Sequence, residues 1–185
     1  WERTELDRDE RKYAEPITSL FDRVGKERRI PILPNVVNEK IGGGVLPGNH
    51  ILIFGRTEVG KSCFVINMAS GFVRKGRRVL FVGNEDDINT VKYRFICRYL
   101  KLSPREVEAD RTGTIDAYGR SGAEGTIRFV HLQPGSVSSL RKDIEEFNPE
   151  VVIVDQIRNL DGPEDGMTQR MEGNAIRFRN LIAEY

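Results

Sequence analysis

The residues from Gly55 to Ser62 have the types and spacing that bind the phosphates of a nucleotide. They read G-R-T-E-V-G-K-S. Glycines let a loop wrap closely around phosphate oxygens with its backbone N–H groups pointing inward. In this pattern Lys61 supplies a cation to the β- and γ-phosphates, and the Ser62 hydroxyl is a ligand for Mg²⁺. The predicted nucleotide-binding residues are Gly55, Arg56, Thr57, Glu58, Val59, Gly60, Lys61, Ser62 and Cys63.

A carboxylate at the end of an apolar run is the second candidate for this chemistry. Residues 151–155 read V-V-I-V-D, which is typical of a buried strand that carries an acid at its carboxyl end. A nucleotide-hydrolysing site needs a carboxylate in the Mg²⁺ shell at this position. Together with the loop, the pattern predicts that Asp155 and Ser62 hold the metal.

Glu85 is the candidate for the group that orients the attacking water. It follows the apolar run at residues 79–82 and lies 24 residues after Lys61, which leaves room for one helix and one return strand. The acid is then expected beside the phosphate loop, where a base could act on water. The neighbouring Asp86 and Asp87 leave open an alternative, in which the acidic cluster only caps a helix.

The elements that must position these residues alternate between apolar strands and amphipathic helices. The predicted strands are residues 51–54, 79–82, 127–132 and 151–154. The predicted helices are residues 63–73, 88–100, 137–147 with Ser136 as the cap, and about 168 to the end, with a looser glycine-bearing segment at 103–125. This order predicts an α/β fold with a doubly wound, mostly parallel sheet. Ligands bind at the carboxyl ends of such strands, where the loop, Glu85 and Asp155 all fall.

The first third of the chain has a different character. Residues 1–14 are strongly charged, a short helix is predicted at residues 16–24, and a connector rich in glycine and proline follows at 29–48. We therefore divide the chain into an N-terminal arm or linker helix (1–35) and a core (36–185). The first residue is Trp and not Met, so we expect the chain to be a piece of a longer protein.

Composition limits the possible partners and compartments. The net charge is +1, so any contact with nucleic acid must come from a local basic face. Cys63 and Cys97 lack a metal-ligand spacing and are expected to be buried free thiols, and His50 and His131 flank strands and are expected to be structural. No signal peptide and no apolar run near 18 residues is present, so we expect no membrane association. Candidates for the basic face are Lys92, Arg94, Arg98, Arg120, Arg128, Arg170, Arg177 and Arg179.

Residues 42–62, G-G-G-V-L-P-G-N-H-I-L-I-F-G-R-T-E-V-G-K-S, resemble the beginning of a RecA-like P-loop ATPase core. The resemblance is greatest to the ATPase domains of DnaB-type and phage replicative hexameric helicases. That family has a glycine-rich lead, a strand ending in G-R, and then the phosphate loop. Its catalytic glutamate falls here on Glu85 and its Mg²⁺ aspartate on Asp155. The family often has L-E-M around the glutamate and Tyr after the aspartate, whereas this chain has Asn84 and Asp86 around Glu85, and Gln156.

The resemblance implies a motor domain that hydrolyses Mg²⁺-ATP and translocates on single-stranded DNA. It further implies a homo-hexamer in the cytoplasm of a bacterial or phage-infected cell, with residues 1–14 docking on the neighbouring subunit. Family members continue with a strand that carries a phosphate sensor, a DNA-binding loop and an arginine finger. We expect these parts, and the C-terminal part of the domain, to lie beyond Tyr185.

Two alternatives share the same phosphate loop. One is a RecA- or RadA-type recombinase or recombination mediator, which binds DNA as a filament. The other is a KaiC-like regulatory ATPase that acts without DNA, which the near-neutral charge suits.

Overall fold

A parallel sheet of three strands forms the centre of the computed structural model, which describes residues 16–19, 29–56, 58–132 and 134–185. The strands are β1 (Val79–Gly83), β2 (Ile127–His131) and β3 (Val151–Asp155), in the order β2-β1-β3. Gly83 at the end of β1 pairs with His131 on one side and Asp155 on the other. The three carboxyl ends therefore meet at one edge, which confirms the predicted α/β fold and three of its strands.

Helices connect and flank the strands, and most lie where the sequence predicts them. They are α1 (Asn35–Lys40), α2 (Lys61–Arg74), α3 (Ile88–Leu100), α4 (Pro104–Ala109), α5 (Arg111–Arg120), α6 (Leu140–Phe147) and α7 (Met167–Ile182). Single 3₁₀ turns occur at Ala123–Gly125, Val137–Ser139 and Ile157–Asn159. In the region of the predicted helix at 16–24, residues 17–19 are helical, and residues 20–24 lie outside the described part of the chain.

Successive residues of β1 point into two separate apolar layers, because side chains alternate along a strand. Val79 and Phe81 pack with α2 and α3 on one face of the sheet. Leu80 and Val82 pack with α6 and α7 on the other. All five residues of β1 are buried, so its unbroken apolar sequence reflects burial on both faces.

The predicted strand at residues 51–54 is wrong for this structure. These residues are extended but make no ladder within the described chain, and Leu52 and Phe54 are 68% and 86% exposed. An apolar run indicates which residues favour burial, but a strand forms only when a neighbouring strand accepts its hydrogen bonds. Within the described residues, β3 pairs with β1 alone, so its outer edge supplies no partner to residues 51–54.

The segment at 103–125, predicted to be loose, is mostly helical. Ser103 caps α4 by accepting a hydrogen bond from the backbone N–H of Glu106, whose carboxylate accepts one from the Ser103 N–H. Pro104 occupies the first turn, and Asp110 caps α5 through the N–H of Gly113. The signal was present as S-P-R-E, a capping box with proline at the first helical position. The two glycines within α5 concealed it.

The predicted helix at 137–147 is also divided, and its predicted cap is wrong. A 3₁₀ turn precedes α6, and the Ser136 side chain makes no capping bond. Its hydroxyl instead lies 2.8 Å from the hydroxyl oxygen of Ser138. A local hydroxyl contact here replaces the bond to a helical N–H group.

The glycine-rich lead packs against the residues that precede it. Ile30 and Val45 exchange backbone hydrogen bonds of 2.8 and 3.0 Å, and Ile30 and Ile32 are buried in the layer that contains α2. Residues 30–32 thus contact the core, while residues 1–15 and 20–28 of the predicted arm lie outside the described chain. The division at residue 35 stays a prediction.

Gly44→Ala is expected to destabilise this lead strongly. Gly44 has a φ of +137°, and a Cβ there would lie 2.5 Å from the carbonyl oxygen of Ile30. Backbone strain and the clash together should cost roughly 2–4 kcal/mol, measured as the free energy of unfolding in urea.

The matched control is Gly42→Ala. Gly42 has a φ of +75° but no atom within 4 Å of the added Cβ, so only the backbone strain, about 1 kcal/mol, should appear. Equal losses in the two variants would contradict the steric argument.

Candidate nucleotide-binding site

The loop from Gly55 to Gly60 leads into the first turn of α2. Glu58 and Gly60 have φ values of +63° and +86°, so the chain turns twice through the left-handed region. The first N–H groups of a helix have no partner within it, and no side chain caps α2. Exposed amides at a helix N-terminus bind anions, so the backbone fits a polyphosphate. Thr57, predicted to contact the nucleotide, lies outside the described residues.

Lys61 is held over this loop. It is the first residue of α2, and its Nζ donates hydrogen bonds of 3.1 Å to the carbonyl of Gly55 and 2.7 Å to that of Arg56. The loop is thus short enough for one lysine to reach back to its first two residues. The positive charge therefore lies beside the same backbone whose amides fit phosphate.

Ser62 and Asp155 meet at the carboxyl edge of the sheet. The hydroxyl of Ser62 donates a hydrogen bond to the Asp155 carboxylate. Burial raises the pKa of Asp155, and the nearby charges of Glu85 and Asp86 raise it further, while the Ser62 bond and Lys61 act in the opposite direction. Negative charge is therefore under-compensated here, which is a setting that favours a bound cation. Carboxylate and hydroxyl oxygens are hard ligands that suit Mg²⁺.

Glu85 reaches toward the turn that follows β3. Its position two residues after Gly83 brings it beside Asp155, which pairs with Gly83 in the sheet. The Nε2 of Gln156 donates a 2.6 Å hydrogen bond to Glu85 Oε2, and Arg158 lies 3.9 Å from Oε1.

The two neighbouring acids have other partners. Asp86 forms an ion pair with Arg94, and Asp87 caps α3 by accepting a 2.9 Å bond from the N–H of Thr90. The alternative left open by the sequence, an acidic cluster that caps a helix, therefore describes Asp87. Glu85 is the member of the cluster that faces the turn after Asp155.

The four candidate groups Lys61, Ser62, Glu85 and Asp155 thus lie around one edge of the sheet, and their chemistry fits a magnesium nucleotide. Mg²⁺ bound between Ser62 and Asp155 would neutralise charge on the phosphate oxygens. The sequence alone did not identify Gln156, Arg158 and Asn159 as part of the site. The only signal was the departure of Gln156 from the family pattern.

The side chain of Cys63 is exposed, whereas that of Cys97 is buried. The prediction that both thiols are buried is therefore wrong for Cys63. It lies in the first turn of α2 beside Ser62, and the apolar face of the helix begins only at Phe64 and Val65.

Most of the basic residues proposed for a nucleic-acid face have partners within the chain. Such contacts are structural, so they do not distinguish a DNA-binding face. Arg94 pairs with Asp86, Arg98 bonds Asn67, Arg128 contacts Glu146 and the Phe147 ring, Arg170 bonds the Glu164 carbonyl, and Arg177 bonds Glu164 and Asn174.

Asp155→Asn is expected to raise the melting temperature at pH 7 without Mg²⁺ by a few degrees. Because the folded-state pKa is raised, ionised Asp155 costs stability above the pKa of the unfolded chain. Asparagine removes that charge and still accepts the Ser62 bond. The gain should shrink as the pH falls toward the ordinary aspartate pKa, since the native carboxyl is then protonated.

The same variant should lose hydrolysis that depends on Mg²⁺. Calorimetric melting with and without Mg²⁺ tests both effects together, because only the native chain should gain stability from the metal in the presence of nucleotide. A lower melting temperature at pH 7 without the metal would contradict the assigned environment of Asp155.

None of the helices in the described residues has both the length and the apolar character needed to cross a bilayer.

Solved structures with the same fold include an isolated ATPase domain and a replicative helicase. The ATPase domain superposes with a TM-score of 0.73 at 16% identity, covering 91% of this chain and 66% of that one. A DnaB-like replicative helicase, solved in a study of its interactions with primase, gives a TM-score of 0.72 at 18% identity, covering 95% and 46%. At these identities the likeness concerns the fold.

Curated relatives at higher identity are DNA repair proteins. DNA repair protein RadA of Streptococcus pneumoniae is 26% identical over 147 residues, which cover 80% of this chain and 28% of that protein. RadA of Mycobacterium tuberculosis is 28% identical over 150 residues, covering 78% and 26%. The chain thus spans about a quarter of the length of these relatives.

The model of one family spans most of the core and every candidate site residue. It is described as "ATPase: KaiC", and it matches residues 30–177, from the strand-like lead through most of α7. The match includes the phosphate loop, Glu85 and Asp155. With its RecA-like fold and its phosphate loop, the chain belongs to the KaiC family of ATPases.

Proposed function

We propose that this chain is the Mg²⁺-ATP-hydrolysing motor domain of a replicative-type hexameric DNA helicase. The observation that carries the proposal is the meeting of Lys61, Ser62, Asp155 and Glu85 at one sheet edge. Phosphoryl transfer depends on positioning and on charge stabilisation, and these four groups supply both.

Each residue has a distinct role in the proposed reaction. The loop amides and Lys61 hold the β- and γ-phosphates. Ser62 and Asp155 hold the metal, and their mutual hydrogen bond fixes their separation. Glu85, anchored by Gln156, orients the attacking water and accepts its proton.

The coupling to DNA rests on the character of the similar proteins. The solved structures include a DnaB-like replicative helicase, and the curated relatives are DNA repair proteins. In the proposed hexamer a neighbouring subunit completes the site, with single-stranded DNA as the track. Residues 1–14 would dock on that neighbour.

A second candidate is a RadA-like ATPase that acts in DNA repair. It is favoured by the RadA relatives at 26–28% identity, which exceed the 16–18% of the solved structures. Both candidates predict hydrolysis that responds to single-stranded DNA. They differ in whether the protein displaces a paired strand or promotes pairing between strands.

The test is the steady-state rate of ATP hydrolysis with and without single-stranded DNA, on the longest natural version of the chain. Stimulation of about tenfold, equal to about 1.4 kcal/mol of coupling, is expected. Displacement of a labelled strand from a tailed duplex would support the helicase, and strand pairing without displacement would favour the repair ATPase. Robust hydrolysis that ignores DNA would contradict both and indicate a regulatory ATPase.

A further inference from the structure

Three side chains connect the turn before α3 to the turn after β3. Gln156 bonds the Glu85 carboxylate at 2.6 Å, Arg158 lies 3.9 Å from its second oxygen, and Asn159 Nδ2 donates a 2.8 Å bond to the carbonyl of Asn84. All three come from four consecutive residues that begin directly after Asp155. The position of Glu85 is therefore tied to the same strand end that carries the candidate metal ligand.

The backbone beneath Glu85 is fixed from both sides. Asn84 is 1% exposed, and its Oδ1 accepts a 3.3 Å hydrogen bond from the N–H of Leu132, just after β2. Its carbonyl accepts the Asn159 bond from the other side. Asn84 thus joins the ends of β2 and β3, and the residue after it has little freedom to shift along the sheet.

The carboxylate itself is oriented by Gln156. This residue has a φ of +66°, a left-handed conformation that costs a non-glycine residue roughly 1 kcal/mol. That turn places the amide against Glu85 Oε2. An amide donor holds a carboxylate without adding charge, and it leaves lone pairs on both oxygens free to accept from water.

We propose that Gln156 is a positioning residue for hydrolysis, which holds the Glu85 carboxylate in the orientation that directs water. The inference rests on the proposed function, since it assigns Glu85 the role of the base. Gln156 acts only through Glu85 and not through the nucleotide. Its loss therefore affects turnover and leaves ATP binding unchanged.

Gln156→Asn is the most informative variant. Asparagine adopts the left-handed conformation more readily than other non-glycine residues, so the turn is preserved, but its side chain is one methylene too short to reach Glu85. We expect kcat to fall about tenfold, while KM and the dissociation constant of a fluorescent ATP analogue stay within about twofold. The control Gln169→Ala, an exposed glutamine on α7, should keep the native kcat.

A double-mutant cycle separates positioning from a general structural effect. Glu85→Gln and Glu85→Gln/Gln156→Asn are compared in single-turnover reactions with excess protein, followed until the slow reaction is measurable. Because Gln156 acts through the carboxylate, its loss should change the rate by less than about twofold once Glu85 is replaced.

The results distinguish failure of this inference from failure of the proposed function. If Glu85→Gln is inactive but Gln156→Asn has the native kcat, the positioning role is wrong and the base assignment stands. An equal loss from Gln156→Asn in both backgrounds, or an equal weakening of ATP binding, also overturns the positioning role. Native turnover by Glu85→Gln overturns both.

Discussion

Glu85→Gln should bind ATP as the native chain does and hydrolyse it about 10²–10⁴ times more slowly, the range expected for loss of a general base. The glutamine has the same shape and can still bond the Gln156 side chain, so the turn before α3 should not move. Only the ability to accept a proton from water is removed. Nucleotide affinity is measured by fluorescence titration, and turnover by phosphate release.

Asp87→Asn provides a control within the same acidic cluster. Asp87 caps α3 through the N–H of Thr90, and asparagine is an equally good cap. The variant removes one negative charge two residues from Glu85 and should retain near-native turnover. If Glu85→Gln hydrolyses ATP at the native rate, the base is another group, and the ion-paired Asp86 becomes the next candidate.

Lys61→Ala should abolish detectable hydrolysis and leave the fold intact. The lysine is the side-chain cation held over the loop, and its loss removes charge stabilisation from the β- and γ-phosphates in both the ground state and the transition state. Hydrolysis is expected to fall at least about 10³-fold. The free energy of unfolding should change by less than about 0.5 kcal/mol, because the bonds to the Gly55 and Arg56 carbonyls are exposed.

Lys75→Ala is the matched control at the opposite end of the same helix. Lys75 is exposed at the C-terminus of α2, so this variant also removes one cation from the helix but leaves the phosphate loop unchanged. It should hydrolyse ATP at the native rate. Comparable losses in the two variants would show that net charge, and not the position of Lys61, governs activity.

The phosphate loop could be predicted because its chemistry needs fixed residue types at fixed spacing. Gly60, Lys61 and Ser62 depend on local backbone geometry, and the structure places them at the start of α2 as the pattern predicts. The strands around Val79 and Val151 were also predictable. They are buried on both faces, so their sequences are continuously apolar.

Residues that depend on contacts across the fold could not be predicted. The bond from Gln156 to Glu85 joins positions 71 apart in sequence, and no local pattern encodes it. The absence of a strand at residues 51–54 has the same cause, since pairing depends on a distant neighbour. By contrast, the capping box at Ser103 was a local signal that the glycine content of the segment concealed.

The assignment of one Mg²⁺-ATP site at the carboxyl edge of the sheet is tested most directly by ATP hydrolysis by the purified chain, with and without Mg²⁺. The native protein, Lys61→Ala and Glu85→Gln should be assayed side by side, with nucleotide binding measured on the same samples. We expect phosphate release only from the native protein and only with Mg²⁺, while Glu85→Gln still binds ATP. Hydrolysis that persists without Mg²⁺ or in Lys61→Ala would place the reaction elsewhere and contradict the assignment.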